Sequence, residues 1–344
     1  MRGTDAAGGT RRCHLELLLL VGRTPPPVVS AVVPSYNGEA YLRECLRSIR
    51  SQTLDGLEII VVDDGSSDSS RSIILDEAAD DERIRFVEHD RNRGIAAARN
   101  TGISESRGEF VGFLDQDDVW LPSKLETQVS TLEEAGRGVE AVFSDVLMVD
   151  ERGRTLGRCH HEYIPQDVNR MSREQRLRAC FLHNFIPVIG LLVRRSCFDR
   201  IGLFDESIRG GMDDFELCLR LVGGADIMYI DRPLAAHRVH GGNYSQKTDR
   251  LLSDLPDVIG KAVEEFPALG PLVPRKRALL HYRLARFHRD SGRFRKAREE
   301  LREAQRIDPT WSVPGLLAPL YAMGRAGSAI LAVRRALRRL LVRP

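Results

Sequence analysis

Residues 57–70 read "LEIIVVDDGSSDSS". The run at 59–62 is aliphatic and β-branched with no polar alternation, the pattern of a strand buried on both faces, as in a parallel sheet covered by helices. Asp63, Asp64 and Gly65 then end it with turn chemistry. The stretch therefore predicts a buried strand whose carboxyl end opens into a polar loop.

The neighbouring segments follow the same plan. Residues 28–33, "VVSAVV", form a similar run ended by "PSYNG", and a helix is expected from about Glu39 to Ser51, with Tyr41, Leu42, Cys45, Leu46 and Ile49 on one face. "SRSIILDEAAD" and "GIAAARNTGISES" have helical spacing, and "IRFVEH" and "EFVGFLD" read as two more strands. This alternation implies a parallel sheet with right-handed crossovers, which gathers ligands beyond the carboxyl ends of its strands. Farther on, the pattern predicts a helix near 122–135, a strand near "EAVFSDVLMVD", a polar loop to about Gln175, a strand and turn in "IPVIGLLVRRSCF", and an amphipathic helix in "DDFELCLRLV".

At 344 residues and 42% hydrophobic content, the chain can build one large α/β domain and an accessory unit. Its net charge of +2 hides an asymmetry: from residue 275 onward 18 basic side chains face 5 acidic ones, which leaves −11 before that point. The six cysteines are widely spaced without a CxxC pair, which argues against a zinc module or a disulfide framework and favours a reducing cytoplasm. Cys159, His160 and His161 have no second cluster at ligand spacing and read as loop residues. "CHLELLLLVG" near the N-terminus is too short for a spanning helix and lacks a signal-peptide cleavage pattern.

From about Leu251 the chain reads as helical. Gly292, Ala297, Leu301, Ala304 and Pro309 fall at the spacing of one tetratricopeptide hairpin, too little for a solenoid, so the hairpin is either a cap or half of a docking surface. Between Ala326 and Arg343, Ile330, Val333, Leu337, Leu340 and Leu341 share one helical face, and Arg334, Arg335, Arg338 and Arg339 gather around another. That pattern fits an interfacial helix on an anionic membrane better than a nucleic-acid contact, since no aromatics interleave the arginines.

The chemistry concentrates in "FLDQDDVW", residues 113–120. Asp115, Asp117 and Asp118 repel one another unless a cation or hydrogen-bond donors compensate. Asp115 and Asp117, spaced as DxD, suit Mn²⁺ or Mg²⁺, which take one or two carboxylates together with water and a substrate diphosphate. Asp117 or Asp118 serves also as a cap for the helix whose first turn contains Pro122.

With these motifs assembled, the chain from about Val28 to Ser245 resembles the family-2 glycosyltransferases. The resemblance rests on "VVPSYNGEAYLRECLRSI", "IIVVDDGSSDSS", "NRGIAAARNTGI", "FLDQDDVW", "DDFELCLRL" and "HRVHGGNYS", in that order. It implies the GT-A fold, an α/β mixed sheet flanked by helices, here with an all-α C-terminal extension. The implied organisation is a disordered segment at 1–27, the GT-A domain at 28–250, a helical extension at 251–310 and a basic amphipathic helix at 311–344.

The resemblance also implies site residues. Pro34, Tyr36, Asp63 and Asp64 would hold the nucleoside of the donor, together with Arg99 and Asp115; Asp63 and Asp64 also read as a plain turn before Gly65, and Arg99 as a surface arginine. Asp115, Asp117 and His240 would face a divalent cation, although His240 is equally a loop histidine. The family's base lies in an acidic pair before an aromatic, usually Glu-Asp; here Asp213, Asp214 and Phe215 occupy those places, so Asp214 matches the base and the first position departs from glutamate. Either aspartate would in any case favour the positive end of a helix.

The implied reaction is an inverting, metal-dependent transfer from a nucleotide-diphosphate sugar to a saccharide or lipid-linked hydroxyl acceptor, in cell-surface polysaccharide or glycolipid assembly. The implied location is the cytoplasm, peripheral on the inner face of the membrane. The alternative is a catalytically degenerate domain that binds partners through its helical extension.

Overall fold

The parallel strands form as the sequence predicts, and the sheet then continues past them in antiparallel fashion. The computed structural model describes residues 26–159, 163–243 and 248–310. His160, His161, almost all of the first 27 residues and the basic segment 311–344 lie outside the described residues. The chain divides into two compact units, one of Met1–Cys159, Val188–Gly202 and Ile230–Arg238, the other of His160–Pro187, Leu203–Tyr229 and Val239–Pro344.

In the first unit, strands β1 (Val29–Ser35), β2 (Leu57–Asp63), β3 (Ile84–Glu88) and β4 (Phe110–Phe113) pair in parallel in the order β3-β2-β1-β4. Helices α1 (Leu42–Arg50), α2 (Ser70–Asp80) and α3 (Ile95–Glu105) connect them. β1 and β2 are buried along their whole length, which is the physical reason they read as unbroken aliphatic runs.

The rest of the sheet was only partly legible. β5 (Val119–Trp120), β6 (Ala141–Val149), β7 (Thr155–Cys159), β8 (Leu191–Arg194) and β9 (Ile227–Arg238) extend it beyond β4 in the order β8-β6-β9-β5, with β7 pairing β6 from the side. The pairings β4–β8, β6–β8, β6–β7 and β5–β9 are antiparallel. The expected polar loop after residue 150 contains β7, a half-exposed edge strand with no apolar run, and β9 runs unbroken through the polar Asp231, Arg232 and Pro233, which interrupt its apolar pattern in the sequence.

Helix α4 (Lys124–Glu134) closes the segment after the acidic cluster. Its Lys124 is buried, with the ammonium over the Trp120 ring at 4.4 Å and a 2.5 Å bond to Gln128 Oε1. Burial pushes that ammonium down to about 7. Trp120 Nε1 donates to the Ile189 carbonyl at 3.0 Å and Gln128 Nε2 to that of Gly190 at 2.8 Å, so α4 holds the turn into β8.

The described part of the second unit is mainly helical: α5 (Arg173–Leu182), α7 (Asp213–Gly224), α8 (Thr248–Glu265), α9 (Val273–Asp290) and α10 (Phe294–Ile307), the short α6 (Phe198–Ile201) belonging to the first unit. Ser172 and Gln175 form a reciprocal capping box at the start of α5. α9 and α10 make the hairpin expected from the tetratricopeptide spacing: Ala285, Ala297 and Leu301 are buried between them with Tyr282, and Gly292 makes the turn at φ +74°.

Gly102 of α3 lies against Val32 of β1, where an added Cβ would overlap the valine side chain. Gly102→Val is expected to lift α3 from the sheet and cost about 1–3 kcal/mol. This lowers the urea midpoint at unchanged slope; an unshifted midpoint would show that α3 has room to spare.

Candidate active site

The carboxyl ends of β1, β2 and β4 open into three loops that are stitched to one another. After β1, the Asn37 amide donates to Ser66 Oγ at 2.9 Å, Gly38 N to Ser70 Oγ at 2.8 Å and Glu39 N to Asp68 Oδ2 at 3.0 Å. Ser67 N returns a 2.8 Å bond to Asn37 Oδ1 and Ser69 N a 3.0 Å bond to Glu39 Oε2. The motif "PSYNGE" and the serine-rich turn after β2 are thus one hydrogen-bonded assembly.

Gln116, a residue to which the sequence attached no role, ties this assembly to the acidic loop. Its Oε1 accepts from Tyr36 N at 2.8 Å and its Nε2 donates to Tyr36 O at 3.0 Å. A Cβ on Gly38 would overlap the Gln116 amide, so glycine is required for this clip. Pro34 is buried at the base of the loop, and the Tyr36 ring stands 46% exposed at its edge, available to a flat ligand.

Asp63 and Asp64 are both buried. Asp63 accepts from the hydroxyl and the amide of Ser66. Asp64 accepts from His89 Nδ1 at 2.7 Å and from the amides of Arg93 at 2.9 Å and Gly94 at 2.8 Å, which draws the loop after β3 under the site. The turn between them depends on Gly65, at φ +75° with the Arg91 backbone 2.8 Å from where a Cβ would sit.

Arg99 is a buried residue, not the surface arginine that its helical position also allowed. Its Nη2 donates to Asp115 Oδ1 at 2.7 Å, and only 3% of its side chain is exposed against 29% of Asp115. Asp117 is half-buried on the same loop.

Asp118 has a partner that sequence spacing could not reveal. It does not cap α4, whose N-cap Ser123 has no side-chain cap bond. Its carboxylate accepts instead from His237 Nδ1 at 3.0 Å and from Arg238 N at 2.8 Å at the end of β9. Burial raises the Asp118 carboxyl to about 6 against the pull of His237, and the bond to Asp118 lifts the His237 imidazole to about 9 despite its own burial. Arg238 spans the same corner: it bonds the Asp117 carbonyl at 3.2 Å, pairs with Glu44 of α1 at 2.7 Å and stacks over Tyr41.

In the second unit, Asp213 and Asp214 open α7. Asp213 is 2% exposed, whereas Asp214 is only partly buried. His240 also lies in this unit. Its ring Nδ1 accepts from Gly242 N at 3.2 Å, and the amide of His240 donates to Asn243 Oδ1 at 2.6 Å. With Nδ1 accepting, the neutral ring carries its proton on Nε2, so metal ligation would need that bond to open.

Among the described residues no three His, Cys, Asp or Glu side chains form a ready-made metal cluster. The oxygen donors at 115 and 117 fit a cation that is completed by a ligand's phosphates better than one held in an all-protein cage.

The glycosyl transferase family 2 profile matches residues 30–202, half of the chain. The chain belongs to glycosyltransferase family 2. A tetratricopeptide repeat profile matches residues 278–311 of the same transferase, over the α9–α10 hairpin. The transferase is 32% identical over 248 residues to an uncharacterised glycosyltransferase of Rickettsia typhi, covering 72% of this chain and 71% of that one.

Its fold is that of GT-A enzymes. The mannosyltransferase PcManGT of Pyrobaculum calidifontis, solved with GDP-Man and Mn²⁺, superposes with a TM-score of 0.58 at 21% identity, over 95% of this chain and 87% of that one. S. aureus TarS 1–349 with UDP-GlcNAc gives 0.56 at 19% identity, over 87% of each chain.

The Asp118–His237 pair supplies a test of how the glycosyltransferase holds its acidic loop. His237→Ala leaves a buried carboxylate without its cation and is expected to cost about 2–4 kcal/mol in chemical denaturation. Adding Asp118→Asn to it should restore part of that loss; a double variant less stable than His237→Ala would contradict the pairing.

Proposed function

We propose that this glycosyltransferase carries out an inverting transfer of a hexose or related sugar from a nucleotide-diphosphate sugar to a hydroxyl acceptor. The observation that carries the reading is the buried Arg99–Asp115 pair beside the half-buried Asp117, at the carboxyl ends of parallel strands.

In this reading Tyr36 packs on the base of the donor, above Pro34. Asp63 and Asp64, at the carboxyl end of β2, hold the nucleoside. Arg99 orients Asp115 towards the donor. Asp115 and Asp117, with His240 once its ring has turned, are the residues that would hold a divalent cation, Mn²⁺ or Mg²⁺. When bound, such a cation supplies neutralising charge for the departing diphosphate. The complexes described for PcManGT and TarS support a nucleotide-sugar donor of this class.

Asp214 is the proposed general base. It takes the proton of the acceptor hydroxyl as that oxygen attacks the anomeric carbon, and the bond from that carbon to the diphosphate breaks on the opposite face, inverting the centre. Base catalysis of this kind contributes typically about 10²–10⁴ in rate.

Asp214→Asn is expected to lower transfer by about that factor while donor binding survives. Asp117→Ala should instead abolish the Mn²⁺-dependent part of the thermal shift given by GDP-mannose or UDP-N-acetylglucosamine. Full turnover by purified Asp214→Asn would remove the base, and an unchanged Mn²⁺ effect in Asp117→Ala would remove the metal assignment.

The acceptor is proposed to be a saccharide or lipid-linked glycan of the cell surface, met at an anionic membrane. The 18 basic against 5 acidic residues after position 274 support that placement. Among the described residues no helix is long and apolar enough to cross a membrane. The full chain should float with anionic liposomes and a chain ending at Pro309 should not; equal flotation of the two would exclude the basic tail as anchor.

A further inference from the structure

The second unit holds a buried cation that the proposed chemistry does not use. Lys276 of α9 is 5% exposed, and its ammonium lies 4.0 Å from the centroid of the Phe215 ring and 5.9 Å from that of Phe181, with the Leu182 carbonyl at 3.5 Å. Phe215 follows Asp214 directly in the first turn of α7. Burial pushes the Lys276 ammonium down to about 7, aided by the nearby charge of Arg283. A leucine or methionine would fill this niche without the desolvation cost, so packing alone does not explain the choice of lysine.

The segment that leads to Asp214 is gripped by the helical extension at two further points. Lys261 of α8 pairs with the Asp205 carboxylate and donates to Ser207 Oγ at 2.9 Å. Asp254, also of α8, accepts the amide hydrogen of Gly210. Gly211 follows at φ +93°, a conformation open to glycine, and without the flanking grips the approach to α7 would be loose there. Phe266, between α8 and α9, fills the space left by the missing side chain of Gly223 at the other end of α7.

We propose that Lys276 is a positioning residue for glycosyl transfer: seated on Phe215, it sets the first turn of α7 and with it the carboxylate of Asp214. The tetratricopeptide-like hairpin that begins on α9 is then a working part of the transferase and not a separate docking module. The proposal rests on Asp214 being the base. In its protonated form Lys276 makes a cation–π contact that supplies direction as well as attraction, because the ammonium is drawn to the ring face.

The test uses the full chain and reads nucleoside diphosphate release from GDP-mannose or UDP-N-acetylglucosamine with Mn²⁺ and water as acceptor, on whichever donor the wild type hydrolyses. Lys276→Met is expected to lower kcat about 10–100-fold with the donor KM within about twofold and the melting temperature unchanged or raised, since a buried charge has been removed. Phe215→Leu should lower kcat similarly, and the double variant should be no slower than either single one. Lys296→Met, at an exposed position of α10, should match wild type.

Wild-type kcat in Lys276→Met, with Asp214→Asn inactive, would overturn the positioning role and leave the base in place. Activity in Asp214→Asn would overturn both. Loss of kcat accompanied by a lower melting temperature and a raised donor KM would reduce Lys276 to a packing residue and overturn the proposal. If Lys276→Met does not fold, Phe215→Leu and Lys276→Gln carry the same comparison.

Discussion

Five aspartates stand at or just beyond the carboxyl ends of β2 and β4, and the sheet can tolerate them only because each buried one is given its own counterpart. Arg99 meets Asp115, His237 and an amide meet Asp118, a serine turn meets Asp63, and a histidine with two amides meets Asp64. In a low-dielectric corner an uncompensated carboxylate would protonate or unfold its surroundings. The compensators come from α3, from β9 and from the loop after β3, so the acidic rim ties together parts of the first unit that are far apart in sequence.

That dependence explains what sequence could and could not disclose. The parallel strands and their crossover helices were legible because strands buried on both faces leave unbroken aliphatic runs, and because turn residues mark where those runs stop. β5, β7 and β9 were not, since a two-residue strand, an exposed edge strand and a strand whose apolar pattern is interrupted by Asp231, Arg232 and Pro233 carry no period. Asp118 read as a helix cap because a cap is a local feature. Its partners lie at 237 and 238, and only the antiparallel pairing of β5 with β9 brings them together.

Burial also sharpens the division between neighbouring acids. Asp213 and Asp214 are indistinguishable by composition, yet the helix start turns the first inward and leaves the second partly exposed. The departure from a Glu-Asp pair thus falls on the inward position, where the shorter side chain is enclosed by the protein. A similar sorting applies to Gln116: it sits between two acids of the DxD pair, and its amide is spent on the Tyr36 backbone rather than on a ligand.

The helical hairpin follows the same logic at larger scale. Its spacing identified it, but two helices packed around Ala285, Ala297, Leu301 and Tyr282 form a single repeat, which buries too little apolar surface to stand alone. α9 must therefore use its remaining faces elsewhere in the second unit, and Lys276 against Phe181 and Phe215 shows where. A repeat of this family normally gains stability from the next repeat in an array. Here α9 packs against α5, and its Lys276 reaches Phe215 of α7, so the neighbour that an array would supply is replaced by helices of the same unit.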